Sequence, residues 1–129
     1  MDLLLDTSAL LWWVTGDQKL GGQARAAIGD PVNRVYVSAA SAWEVAIKYR
    51  IGKLPMPRSP SLWLPAELAS NAFTPLPISL RHALAVESLP LHHRDPFDRL
   101  LIAQAASESL TIVTGDHQLE RYGVQILRC

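Results

Sequence analysis

Apolar residues along this chain come in short runs separated by capping and turn residues. Leu3-Leu4-Leu5 is too short for a helix and runs straight into Asp6-Thr7-Ser8, three good helix N-cap types. That pattern predicts a buried strand feeding a helix through Ala9-Leu10-Leu11-Trp12-Trp13, stopped by Gly16. A second short helix is expected over Gln23 to Ile28, closed by Gly29-Asp30-Pro31. Arg34-Val35-Tyr36-Val37-Ser38 reads as a strand, and Ser38 opens a long helix reaching Ile51-Gly52. Pro55, Pro57, Pro60 and Pro65 crowd the next stretch, so Lys53 to Ser61 is expected to be a loop ahead of a helix around Leu62 to Asn71. An extended piece over Thr74 to Ile78 and a helix over Ser79 to Ser88 follow. Asp95-Pro96 is an N-cap followed by proline at the first helical position, opening a helix to about Ser109. Leu110 to Thr114 is the clearest strand, Asp116 to Tyr122 a short helix, and Val124 to Leu127 a last strand. Strands alternating with helices imply an α/β fold with a mostly parallel sheet covered on both faces.

Composition narrows the class. A length of 129 residues is expected to make one domain over 1–129, and 49% hydrophobic against 19% charged residues excludes a disordered chain. Twelve basic and twelve acidic side chains cancel, so the global positive field of a nucleic-acid binder is missing and any contact with RNA or DNA must be local or carried by bound cations. Cys129 is the only cysteine, which excludes a disulfide within the monomer and fits a reducing, cytoplasmic setting. The N-terminal run lacks the basic leader of a signal peptide, and no apolar run approaches the roughly 20 residues of a membrane span. There is no internal repeat, no G-x-G-x-x-G after the first strand and no G-K-[ST], so nucleotide binding through a glycine loop is disfavoured.

The chemistry therefore rests on acids. In open α/β sheets, ligands gather beyond the carboxyl ends of the strands. Asp6 ends the first strand, Asp116 follows the strand ending at Thr114, and Asp98 lies in the first turn of the helix before that strand. Glu44 is the informative fourth acid. At 100° per residue it sits about 40° from Ala40 and close to Ile47 and Ile51, so it interrupts an apolar stripe. Asp98 is aligned with Leu101, Ile102 and Ala105. Taken singly, Asp6 and Asp116 could be N-caps, Asp95 and Asp98 a capping pair, and Glu44 the i,i+4 partner of Lys48. Together these roles do not explain inward acids recurring at one end of the sheet, and clustered carboxylates call for a cationic counter-charge. Oxygen ligands without a Cys/His cluster select Mg²⁺ or Mn²⁺ over zinc. Such an ion lowers the pKa of a bound water and polarises a phosphoryl oxygen. His92-His93 is expected to face solvent or serve structure, because adjacent histidines on an extended segment point apart.

Four segments, Leu4-Leu5-Asp6-Thr7-Ser8-Ala9-Leu10, Ser41-Ala42-Trp43-Glu44-Val45-Ala46, His93-Arg94-Asp95-Pro96-Phe97-Asp98-Arg99-Leu100-Leu101-Ile102-Ala103-Gln104-Ala105 and Thr114-Gly115-Asp116, resemble the PIN domain in order and spacing. More narrowly they resemble a VapC-type toxin of a type II toxin-antitoxin pair. The resemblance implies a PIN-like three-layer fold and a Mg²⁺- or Mn²⁺-dependent endoribonuclease. It further implies a homodimer that is neutralised by a cognate VapB-like antitoxin. Carried over by position, Asp6, Glu44, Asp98 and Asp116 form the acidic metal site, with Thr7 and Thr114 orienting a ligand or water and Asp95 in support. Gly115 stands where family members often carry a polar or basic residue. The implied reaction is in-line attack of a cation-activated water on an RNA phosphodiester. Arg94, Arg99, Lys48 and Arg50 are candidate phosphate contacts, because an acidic pocket on a neutral protein needs a basic rim to accept RNA. Trp12, Trp13, Trp43 and Trp63 are expected in the core or an interface rather than under bases. A haloacid-dehalogenase-like phosphatase would need an acid at Ser8. A catalytically silent module of the same fold, acting as a binding or regulatory scaffold, is the alternative.

Overall fold

The computed structural model describes residues 1–129. Five parallel strands, β1 (Asp2–Leu5), β2 (Arg34–Ser38), β3 (Thr74–Leu76), β4 (Thr111–Thr114) and β5 (Ile126–Arg128), form one sheet in the order β3-β2-β1-β4-β5. The central strand is the apolar run Leu3-Leu4-Leu5, which pairs with β2 on one side and β4 on the other. Because side chains alternate along a strand, Leu3 and Leu5 enter one apolar cluster and Leu4 the other, so the sheet is covered on both faces. Pro75 stands in β3, an edge strand, where its missing N–H leaves no ladder bond unmade.

The helices are α1 (Thr7–Thr15), α2 (Gly22–Gly29), α3 (Ala39–Arg50), α4 (Pro60–Ser70), α5 (Leu80–Ala85) and α6 (Pro96–Glu108). Helix α1 begins as the capping pattern predicts and ends at Gly16, whose φ of +71° is the left-handed turn that favours glycine. Two differences from expectation have local causes. Helix α4 starts at Pro60, which needs no N–H at the first helical position, and it carries Pro65 inside because burial of Trp63 and Leu64 holds that segment helical. Residues His117–Tyr122 form a 3₁₀ turn, and the last strand lies slightly later than the hydropathy pattern suggests. No helix is long and apolar enough to cross a membrane.

The apolar stripe expected on α3 divides in two. Its covered side is Ala40, Ser41, Glu44 and Val45, whereas Trp43, Ile47 and Ile51 form an outward ridge. A helical wheel gives relative angles but not the width of the sector that neighbouring elements cover. Here α1, α4 and α6 cover only the sector centred on Ser41 and Glu44. Of the four tryptophans, Trp63 is buried, Trp12 and Trp13 pack partly against the core, and Trp43 is exposed with its ring edge-on to Phe97.

Candidate active site

The chain leaves the central strand toward β2 on one side and returns through α5 and α6 to β4 on the other. This reversal of strand order opens a crevice at the carboxyl ends of β1 and β4. Asp6 follows β1 directly and Asp116 follows β4 after one glycine. A cavity of about 500 Å³ lies there, lined by Asp6, Thr7, Glu44, Lys48, Asp95, Asp98 and Asp116 together with Ser8, Trp12 and His117.

Each acid is held by a local device. Asp6 caps α1, its Oδ1 accepting from the Ala9 N–H at 2.7 Å, and it is only 7% exposed. Glu44 comes in from α3, equally buried; its Oε1 accepts from the Thr7 hydroxyl at 2.6 Å and its Oε2 from Lys48 Nζ at 2.7 Å. Asp95 caps α6 through the N–H groups of Phe97 and Asp98, which places Asp98 one turn in, facing the cavity. Asp116 donates its own N–H to Thr114 Oγ1 and receives the Gln118 N–H on Oδ1. The capping roles are thus real, and they are also what aims the carboxylates.

Burial is the main force on the protonation of Asp6 and Asp98. It pushes Asp6 above the ordinary carboxylate range, with the charges of Glu44 and Asp116 adding to it and the Thr114 hydroxyl and Ala9 N–H opposing. It pushes Asp98 up to about 7, helped by the negative charges of Asp95, Asp6 and Glu44 and opposed by His93. Near neutral pH the centre of the site is short of positive charge. A set of converging carboxylates in that condition, without thiolates, fits a hard divalent cation such as Mg²⁺ or Mn²⁺.

Two residues differ from expectation. Arg99 is not a free basic group at the rim. Its guanidinium donates to the carbonyls of Pro90 at 2.8 Å, Val86 at 3.2 Å, His93 at 3.3 Å and Leu89 at 3.4 Å, and to the Tyr122 hydroxyl. Five donors in a rigid fork suit a cluster of main-chain oxygens, so Arg99 serves the loop before α6. His93, expected to face solvent or serve structure, lies among the acids, its Nε2 3.1 Å from Asp98 Oδ2 and 3.1 Å from Asp116 Oδ2. Sequence spacing pointed away from it because the segment bends; the one available signal was its position two residues before the Asp95 cap. His92 turns away and packs edge-on against Tyr122. Arg94 and Arg50 are exposed, and Lys48 is the basic group on the cavity wall.

The family model of the PIN domain matches residues 3–125. The chain belongs to the PIN domain family. Among curated relatives, Ribonuclease VapC16 of Mycobacterium tuberculosis is 40% identical over 60 residues, which is 46% of this chain and 43% of that protein. The match therefore spans less than half the relative's length. VapBC2 from Rickettsia felis, solved bound to a DNA fragment from its promoter, superposes with a TM-score of 0.74 at 15% identity, covering 99% of this PIN domain and 98% of that chain. FitAcB from Neisseria gonorrhoeae superposes with a TM-score of 0.63 at 20% identity, covering 97% and 96%. At these identities the superpositions show a shared fold: a parallel sheet flanked by helices.

Proposed function

We propose that this PIN domain, spanning residues 1–129, is a divalent-cation-dependent endoribonuclease acting as the toxin of a type II toxin-antitoxin pair, and that it cleaves RNA and thereby inhibits translation and growth. The observation that carries the reading is the convergence of Asp6, Glu44, Asp98 and Asp116 on one open cavity, with Asp98 pushed to about 7 by burial and by its acidic neighbours. The name of the ribonuclease relative and the toxin-antitoxin complexes among the structural neighbours support the same class.

In this reading Asp6, Glu44, Asp98 and Asp116 would hold Mg²⁺ or Mn²⁺. When bound, the cation neutralises the acids, acidifies water and polarises the scissile phosphoryl oxygen. The protein's own groups do the rest. Ala9 and Thr114 fix the Asp6 carboxylate, and Thr7 fixes Glu44. While no counter-charge is present the Asp98 carboxyl, pushed to about 7, carries its proton about half of the time at neutral pH, which limits repulsion within the cluster. Lys48 on the cavity wall, with the exposed Arg94 and Arg50, supplies positive charge for the RNA backbone, as a neutral protein requires.

A VapB-like antitoxin and a second copy of the chain are the proposed protein partners, in the cytoplasm. Support comes from the outward ridge of Trp43, Ile47 and Ile51 and from an apolar groove of about 660 Å³ between α3 and α4, lined by Ala42, Ala46, Leu64, Leu68 and Phe73. Apolar surface of this kind marks contact with another chain.

The test is cleavage of a panel of structured RNAs by antitoxin-free protein with Mg²⁺ or Mn²⁺, with EDTA and Asp6→Asn as controls and product ends mapped. Cutting that needs the cation and is lost in Asp6→Asn supports the nuclease. Folded, cation-loaded protein that cuts none of the panel would favour the silent binding module instead.

A further inference from the structure

The segment from Leu89 to Asp95 has no regular secondary structure, yet it is pinned from two sides. Arg99 of α6 gathers the carbonyls of Leu89, Pro90 and His93, and the His92 ring packs against Tyr122. The result of this bracing is the placement of one imidazole. His93 Nδ1 accepts the Asp95 backbone N–H at 3.0 Å. A backbone amide can only donate, so Nδ1 carries no proton and the ring's N–H is at Nε2. That N–H hydrogen-bonds Asp116 Oδ2 and is equally close to Asp98 Oδ2.

We propose that His93 is a positioning residue, holding Asp98 and Asp116 side by side through its Nε2–H so that the two carboxylates converge before a cation arrives. The inference rests on the reading of the site as a cation-dependent nuclease. Asp98 belongs to α6 and Asp116 to the turn after β4, so no shared backbone keeps them together. Asp116 is partly exposed, so its second carboxylate oxygen is open to water where nothing on the cavity side receives it. Its Oδ1 is anchored by the Gln118 N–H, and His93 turns its Oδ2 toward Asp98. His93 is not itself a ligand in this arrangement, because its Nδ1 lone pair is taken by Asp95 and its Nε2 carries the proton. Outer donors that orient ligating carboxylates are worth about 10- to 100-fold in metal affinity.

Three variants of the full chain separate this role from bracing of the loop: His93→Ala, His93→Asn and His93→Gln. An Asn amide retains the short reach to the Asp95 N–H but not to the carboxylates, whereas a Gln amide N–H reaches the position of Nε2. The readout is Mn²⁺ affinity, followed by the spin-resonance signal of unbound Mn²⁺, with circular dichroism reporting folding and Asp6→Asn reporting the cation site itself. His93→Ala and His93→Asn are expected to weaken Mn²⁺ binding about tenfold or more, and His93→Gln to restore most of it. Parent-like affinity in His93→Asn overturns the proposal and leaves the nuclease reading standing. Tighter binding in His93→Ala does the same, since the ring would then occupy the ion's place. An equal loss in His93→Gln and His93→Asn also overturns it. Absence of Mn²⁺ binding by the parent removes both the cation reading and the proposal. If His93→Ala fails to fold, the Asn and Gln pair decides.

Discussion

Asp98→Asn is expected to make the cation-free protein more stable while abolishing RNA cleavage. The Asp98 carboxyl is held at about 7 in the folded chain against an ordinary 3.8, chiefly by burial and then by Asp95 and Asp6. For an acid, a raised folded-state value means that the folded chain binds the proton more tightly than the unfolded one. Stability is therefore lost as pH climbs from about 4 to about 7, and the loss is complete above that. At about 1.4 kcal/mol per pH unit the ceiling is about 4 kcal/mol. The side chain is 23% exposed, so solvent screens part of this, and a negative charge in the first turn of α6 returns roughly 0.3–1 kcal/mol through the helix dipole. A net gain of about 2–3 kcal/mol remains for the uncharged isostere at pH 8. Urea unfolding in EDTA at pH 8 and near pH 4 measures it, with the gain present at the first and nearly absent at the second. Mg²⁺ at about 100 times its dissociation constant should stabilise the parent by about 2.7 kcal/mol and the variant far less. An Asp98→Asn protein less stable than its parent at pH 8 without cation, or a difference that does not change with pH, would refute the electrostatic account.

Ala72 adopts φ of +55°, where an L side chain costs about 1–2 kcal/mol; Ala72→Gly should raise the urea-derived stability by about 1 kcal/mol after the glycine's extra unfolded-state entropy is subtracted. Arg99→Lys keeps the charge but not the fork, so it should destabilise by about 2–3 kcal/mol and speed amide exchange over residues 89–95, measured by mass spectrometry. A Cβ at Gly115 would meet the Trp12 ring at 3.3 Å, so Gly115→Val should push that ring off its packing against the core and lower the urea-derived stability by about 1–3 kcal/mol.

The Trp12 ring packs directly over Gly115. A polar or basic side chain at that position would compete with the indole for the same space, so the glycine and the tryptophan form a pair. Nothing in the local pattern of Thr114-Gly115-Asp116 announces this, because the contact joins α1 to the turn after β4.

The elements themselves were legible because their signals are local. Leu3-Leu4-Leu5 followed by Asp6, Ser38 before α3, and Asp95-Pro96 before α6 are each a strand or loop meeting a cap, and a cap acts within one turn of its own helix. The alternation of strand and helix then requires a parallel sheet, and a parallel sheet places Asp6 and Asp116 at the same edge. Tertiary structure alone decided how those acids are wired. Glu44 is reached by Thr7 from another helix, the α3 stripe is covered only on the Ser41 and Glu44 side, and Arg99 turns from a rim charge into a clamp on four carbonyls. His93 shows the difference most clearly. Its neighbours in the chain suggested a solvent-facing or structural ring, and only the bend of its segment brings Nε2 between two carboxylates that lie 5 and 23 residues away. Caps and apolar periodicity are short-range forces recorded in adjacent residues; burial, like-charge repulsion and the donors that relieve it depend on what the fold brings together from a distance.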